Sequence, residues 1–233
     1  MSDRKSNFGS LRPRHTSATR WVGLLIYGAA LAVALFSDPY VAAMTVRANE
    51  KIRGDLRREM EFIQQFGAIT SAVLIAAVVW TIDPANRRRL PAAVLGCAAS
   101  ALSVFILKCL IGRPRPRLGQ PWKFVPPWET YLLDGWTTPR HAWQFWERGM
   151  SVLWSMPSGH TAAAFALARV LTNLYPQLRA IVVTLAVLVA ICRVVLGAHY
   201  PSDVIVGAGL GWVIAGTVQR FAHRRLNPAD LIH

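Results

Sequence analysis

Charge is scarce in this chain. Of its 233 residues only 26 are Lys or Arg and 12 are Asp or Glu, 16% in all, where a soluble domain usually carries about 25%. Acidic residues are the scarcer kind, leaving a formal net charge of +14. Cysteine is rarer still: Cys97, Cys109 and Cys192 are odd in number and lie in or beside apolar runs. That excludes a disulfide framework and a CxxC metal site, and makes them packing residues. What fills the chain is apolar, with 53% hydrophobic residues and a mean hydropathy of +0.32, which excludes a disordered polypeptide. No folded basic domain surrounds the positive charges, so no nucleic-acid partner is expected. Anionic lipid headgroups or an anionic substrate fit them better.

Three runs are free of charge for long enough to suggest membrane helices: 21–36, 66–82 and 90–107. Each approaches the roughly 20 residues needed to cross hydrocarbon once flanking side chains snorkel. Three later apolar segments are interrupted: 161–175 by Arg169, 180–196 by Arg193, and 204–221, which ends in basic residues. The pattern predicts an all-α fold, a polytopic membrane bundle of about six transmembrane helices. It occupies residues 21–222 as one domain, between basic cytoplasmic tails at 1–20 and 223–233. The first run has signal-peptide features, but Asp38-Pro39 intervenes before a cleavage-like sequence and five more spans follow.

Six spans put both termini on one side. Arg4, Lys5, Arg12, Arg14 and Arg20, the short turn Arg87-Arg88-Arg89, and Arg220, Arg224 and Arg225 all fall on that face. The positive-inside rule makes it cytoplasmic in a cell membrane. The opposite loops carry nearly as many basic residues, but there Arg47, Lys51, Arg53, Arg57 and Arg58 are mixed with acids around an Ile52/Leu56/Met60/Ile63 stripe. That spacing fits an amphipathic helix lying on the membrane, or equally a solvated connector. The long outer loop, 112–156, holds six of the nine tryptophans, and amphipathic indoles place it at headgroup level.

Three polar clusters fall at helix ends on the predicted outer face. Lys108 is followed by Gly112-Arg113-Pro114-Arg115-Pro116-Arg117, where the prolines hold the arginines apart without a helix. Guanidinium groups grip phosphate oxygens bidentately, and lysine acts as a point charge. Next comes Pro157-Ser158-Gly159-His160-Thr161: a turn and helix N-terminus whose amides suit an anion, with His160 in the first turn. Last are Arg193 and His199-Tyr200-Pro201-Ser202-Asp203, where a carboxylate four residues after a histidine can fix its tautomer. Taken singly, the three read as a juxtamembrane basic patch, a helix cap and another cap. Together they read as machinery for metal-free phosphoryl transfer, the cations neutralising charge that magnesium would otherwise handle.

Lys108-(six residues)-Arg115-Pro116, then Pro157-Ser158-Gly159-His160, then Arg193-(five residues)-His199-(three residues)-Asp203 resembles the three-part signature of the type 2 phosphatidic acid phosphatase family. The resemblance spans residues 108 to about 221; one departure is Cys192, where that family usually has Ser. The resemblance implies a compact helical bundle and a phosphohistidine intermediate. By position, His199 would attack phosphorus, Asp203 would orient it, and His160 would protonate the leaving oxygen and later activate water. Lys108, Arg115, Arg193, Ser158 and the Gly159 amide would hold the phosphoryl oxygens, with no metal and no cofactor. A lipid phosphate or diphosphate is the expected substrate, undecaprenyl diphosphate first. Phosphatidic acid, phosphatidylglycerol phosphate and a lipid A-type phosphate follow. A vanadate-dependent haloperoxidase and a non-enzymatic anion-binding or transport protein are the competing readings. Membrane lipids are the other expected partners, and the sequence does not fix an oligomeric state.

Overall fold

The computed structural model describes residues 17–226. Its elements are α1 (Ser17–Lys51), α2 (Gly54–Ile63), α3 (Ile69–Ile82), α4 (Leu90–Ile111), α5 (Gly159–Leu174), α6 (Arg179–Val195) and α7 (Pro201–Leu226). All six apolar segments are helices, and the protein is an all-α polytopic membrane bundle. Among the described residues four helices are long and apolar enough to cross a bilayer: α1, α4, α6 and α7. Gly54–Gly67 and Ile69–Ile82, bent by 58°, pass the same test only together, as a broken span or a re-entrant loop. α5 has 16 residues, about 24 Å of helix. It is the most enclosed element, packed on α7, α6 and α4.

Close backbone approach makes that packing possible. A Cβ on Gly211 of α7 would overlap the Ala162 carbonyl oxygen of α5, and one on Gly207 would lie 2.6 Å from the Ser158 carbonyl. Small residues let membrane helices gain dispersion energy where no hydrophobic effect drives them together. The outward faces carry exposed apolar side chains such as Phe36, Ile69, Val73 and Leu102, as a lipid-facing surface requires.

Two sequence expectations change. The helix over the first apolar run, 21–36, does not end with it but continues through Asp38-Pro39 to Lys51. Asp38 is fully buried, bound to Arg113 and Ser202, so its charge is compensated inside the bundle and does not mark an exit. The segment expected as one amphipathic helix is divided: Arg47 and Lys51 end α1, and only Gly54–Ile63 forms the separate short helix α2. The basic-tail assignments lie almost wholly outside the described residues.

Segment 112–156 contains no α-helix but has a small core of its own. Ala142, Met150, Val152 and Leu153 pack with Trp136 and Trp154, and Tyr131 and Arg140 pair in a two-way backbone bridge. Trp122, Trp128 and Trp146 remain more than half exposed. The far end of the bundle is tied separately, by the Tyr175 hydroxyl donating to Asp83 at 2.7 Å.

Candidate active site

Helix direction brings the three clusters together. Lys108 ends α4, Ser158 precedes α5, Arg193 lies in the last turn of α6, and His199 and Asp203 flank the start of α7. Lys108 and Arg193 lie close enough to act electrostatically on both His160 and His199, and Arg115 acts on His160. The side chain of Lys108 passes the Gly159 backbone: a Cβ there would stand 3.8 Å from the Lys108 Cε.

His199 is 2% exposed. Its Nδ1 lies 2.7 Å from the Ser155 carbonyl oxygen. A carbonyl only accepts, so Nδ1 carries the proton and Nε2 is left with its lone pair. Burial holds the imidazole far below its ordinary value, to about 3, and this outweighs the upward pull of the Asp203 carboxylate. The ring is therefore neutral at physiological pH. A neutral imidazole with a fixed tautomer is a competent nucleophile.

Asp203 lies beside the His199 ring. Its Oδ2 is 3.6 Å from His199 Nδ1, too far for the tautomer-fixing hydrogen bond, which the Ser155 carbonyl accepts instead. Asp203 Oδ2 takes hydrogen bonds from the Ser155 hydroxyl at 2.5 Å and the Tyr200 amide at 2.9 Å, the second of these capping α7. Asp203 Oδ1 accepts from Arg113 Nη1 at 2.7 Å. The carboxylate is thus a cap and an electrostatic neighbour of the histidine at once.

Arg113 is the residue that sequence reasoning passed over. It is fully buried. Nη1 donates to Asp203 and to the Ser202 hydroxyl, each at 2.7 Å, and Nη2 donates to Asp38 Oδ2 at 2.7 Å. Nε and Nη2 reach the Pro121 carbonyl, and the guanidinium lies 4.1 Å from the Tyr200 ring centre. Asp38 completes the set by accepting the Ser202 amide at 3.0 Å. One arginine between two carboxylates leaves a net charge of −1 beside His199. The sequence signal was present: Asp38 is an acid against an apolar run, where a buried partner is the rule.

The other cations are held by neutral oxygens. Lys108 donates to the Trp154 carbonyl at 2.5 Å, Arg115 Nε to the Ser151 carbonyl at 2.8 Å, and Arg193 Nη1 to the Gln64 side-chain oxygen at 2.5 Å. None forms an ion pair among the described residues, and Arg193 Nε is buried without an acceptor. Their charge stays available to an anion. Ser158, fully buried, shares a 3.0 Å hydrogen bond with Thr161, and the first amides of α5 have no side-chain cap. His160 stands in that first turn, its carbonyl closing on Gly67, where a Cβ would overlap it. Cys192 is buried beside Arg193. No group of three or more His, Cys, Asp or Glu side chains among the described residues forms a metal-binding set.

Residues 90–226 match the PAP2 superfamily. Two lipid A 1-phosphatases are similar over 63 residues: that of Rhizobium johnstonii at 40% identity, covering 27% of this chain and 26% of that protein, and that of Rhizobium etli at 38%, covering 27% of each. The matched stretch spans about a quarter of those relatives' length. The fold resembles the PAP2-type phosphatidylglycerolphosphate phosphatase of Bacillus subtilis, with TM-score 0.57 and 22% identity over 90% of this chain and 97% of that one. It also resembles LpxE of Aquifex aeolicus, with TM-score 0.53 and 20% identity over 76% and 93%. With more than half of its length matched, and the three clusters folded onto one end of the bundle, the chain belongs to the PAP2 superfamily.

Proposed function

We propose that this protein is an integral membrane phosphatase that removes phosphate from a lipid phosphomonoester or diphosphate through a phosphohistidine on His199. The observation that carries the proposal is the Ser155 carbonyl on His199 Nδ1, which leaves Nε2 as the attacking atom. Lys108, Arg115, Arg193, the Ser158 hydroxyl and the Gly159 amide hold the phosphoryl oxygens. As Nε2 bonds to phosphorus the ring becomes cationic. The net −1 of the Asp38/Arg113/Asp203 group, 3.6 Å away at its nearest oxygen, stabilises that charge. His160 donates a proton to the leaving oxygen, then removes one from the water that hydrolyses the phosphoenzyme. The phosphate charge is met by fixed cations, so no metal is assigned a step.

The active site faces outward. Support comes from the Arg87-Arg88-Arg89 turn and Arg179, at the opposite ends of α4 and α6 from Lys108 and Arg193, which the positive-inside rule places in the cytoplasm. Two relatives named for lipid A make a lipid A-type phosphate the first substrate to test. Undecaprenyl diphosphate, first from sequence, has no support of that kind. The test is phosphate release by purified protein from a panel of these two lipids, phosphatidic acid and phosphatidylglycerol phosphate. We expect release from at least one, abolished by His199→Ala; no release from any would reject the proposal.

A further inference from the structure

Along α1, α6 and α7 runs an open groove of about 1660 Å3, from Val206 near the start of α7 to Arg220 near its end. Its walls are apolar: Leu24 and Leu31 of α1, Val183 of α6, and Trp212 and Val213 of α7. Two basic residues line the same groove, Arg179 at the first position of α6 and Arg220 near the end of α7. A third, Arg169 of α5, stacks on Trp212 with its guanidinium 5.0 Å from the ring centre. Its Nε is buried without an acceptor. Arg179 and Arg220 both lie close enough to act on Arg169.

No carboxylate pairs with any of these arginines among the described residues. Asp83, at the same end, is occupied by Asn86 and Tyr175. Arg220 gives Nε and Nη2 to oxygens of its own helix, and the start of α6 has no side-chain cap. Three mutually repelling cations beside an apolar groove complement one kind of molecule: an anion with a long apolar tail.

We infer that this groove binds one anionic phospholipid, with its phosphodiester on Arg179 and Arg220 and an acyl chain along Leu24, Leu31 and Val213. The site is separate from catalysis. Its basic end, at Arg179 and Arg220, lies beyond the far end of α5 from His160, and the 16 residues of that helix span about 24 Å. The lipid is a resident of the leaflet opposite the active site, not a substrate.

The test is native mass spectrometry of the full-length protein in mild detergent, titrated with phosphatidylglycerol, phosphatidylcholine or inorganic phosphate. Phosphatidylglycerol should bind one per chain and phosphatidylcholine far more weakly. Each arginine near an anionic headgroup contributes about fivefold in affinity, so Arg179→Gln with Arg220→Gln should weaken binding about twenty-five-fold. Should that variant fail to fold, Val213→Trp fills the groove and leaves the cations intact, and it should weaken the lipid equally. Equal binding of both lipids, or unchanged binding in both variants, overturns the site. Inorganic phosphate that displaces the lipid at equal concentration overturns the lipid as occupant. So does lipid binding that appears only after removal of residues 227–233, since the chain's own end would then fill the groove.

Discussion

On the Nδ1 side of His199, Arg113 gives both ends of its guanidinium to carboxylates, Asp38 and Asp203, and none of it reaches solvent. Two residues later in the same proline-stiffened segment, Arg115 gives its Nε to the backbone carbonyl of Ser151 and meets no acid. Lys108 and Arg193 are held in the same neutral way. A cation already paired with a carboxylate has little field left for a phosphate. One fixed by a carbonyl keeps its charge and is oriented before substrate arrives. In the proposed mechanism the first group holds the surroundings of His199 in place, and the second is the phosphate cradle.

Substitutions should therefore separate the two groups by what they damage. His199→Ala removes the proposed attacking atom and should lower turnover by about 10⁴-fold or more with the fold intact, read as phosphate release beside an unchanged unfolding midpoint. Arg193→Gln, in the cradle, should cost about 10²- to 10³-fold in kcat/KM, again with little loss of stability. Arg113→Met should reverse that signature. It strands two buried carboxylates, and breaking such a pair costs about 3–5 kcal/mol, read as a lower midpoint of thermal unfolding in detergent. Equal loss of stability in Arg193→Gln and Arg113→Met would erase the distinction. A smaller effect concerns pH. An ordinary imidazole takes up a proton near 6.5, but His199 is depressed to about 3 by burial. Nitrogen-15 chemical shifts of its ring should stay constant as pH falls from 8 to 5, and a midpoint near 6.5 would contradict the assignment. Smallest of all, Cys192→Ser exchanges a buried side chain for one of similar size next to Arg193, and activity should stay within about twofold.

The three clusters were legible because each is short, local and placed at the end of an apolar run, so spacing alone carries them. His199, His160, Asp203, Lys108, Arg115, Ser158, Gly159 and Arg193 do fold onto one end of the bundle. What spacing does not carry is pairing at long range. Asp38 and Arg113 are 75 residues apart, and a carboxylate followed by proline looks like the end of a span until its partner is known. Gln64, which holds Arg193 from 129 residues away, gave no signal at all. The Ser155 carbonyl that fixes His199 is a backbone atom, invisible to any reading of side chains. The small core of 112–156 escaped for another reason: its apolar residues follow neither helical nor strand periodicity, and they pack through turns.

The central question is which nitrogen of which histidine receives the phosphoryl group. Incubating purified protein with a phosphorus-32-labelled lipid substrate, quenching in alkali within a single turnover and mapping the labelled peptide would answer it. The structure predicts an acid-labile, alkali-stable label on His199, at Nε2, since Nδ1 is occupied by the Ser155 carbonyl, and no label in His199→Ala. Phosphate found at Nδ1, on another residue, or undiminished in His199→Ala would contradict it.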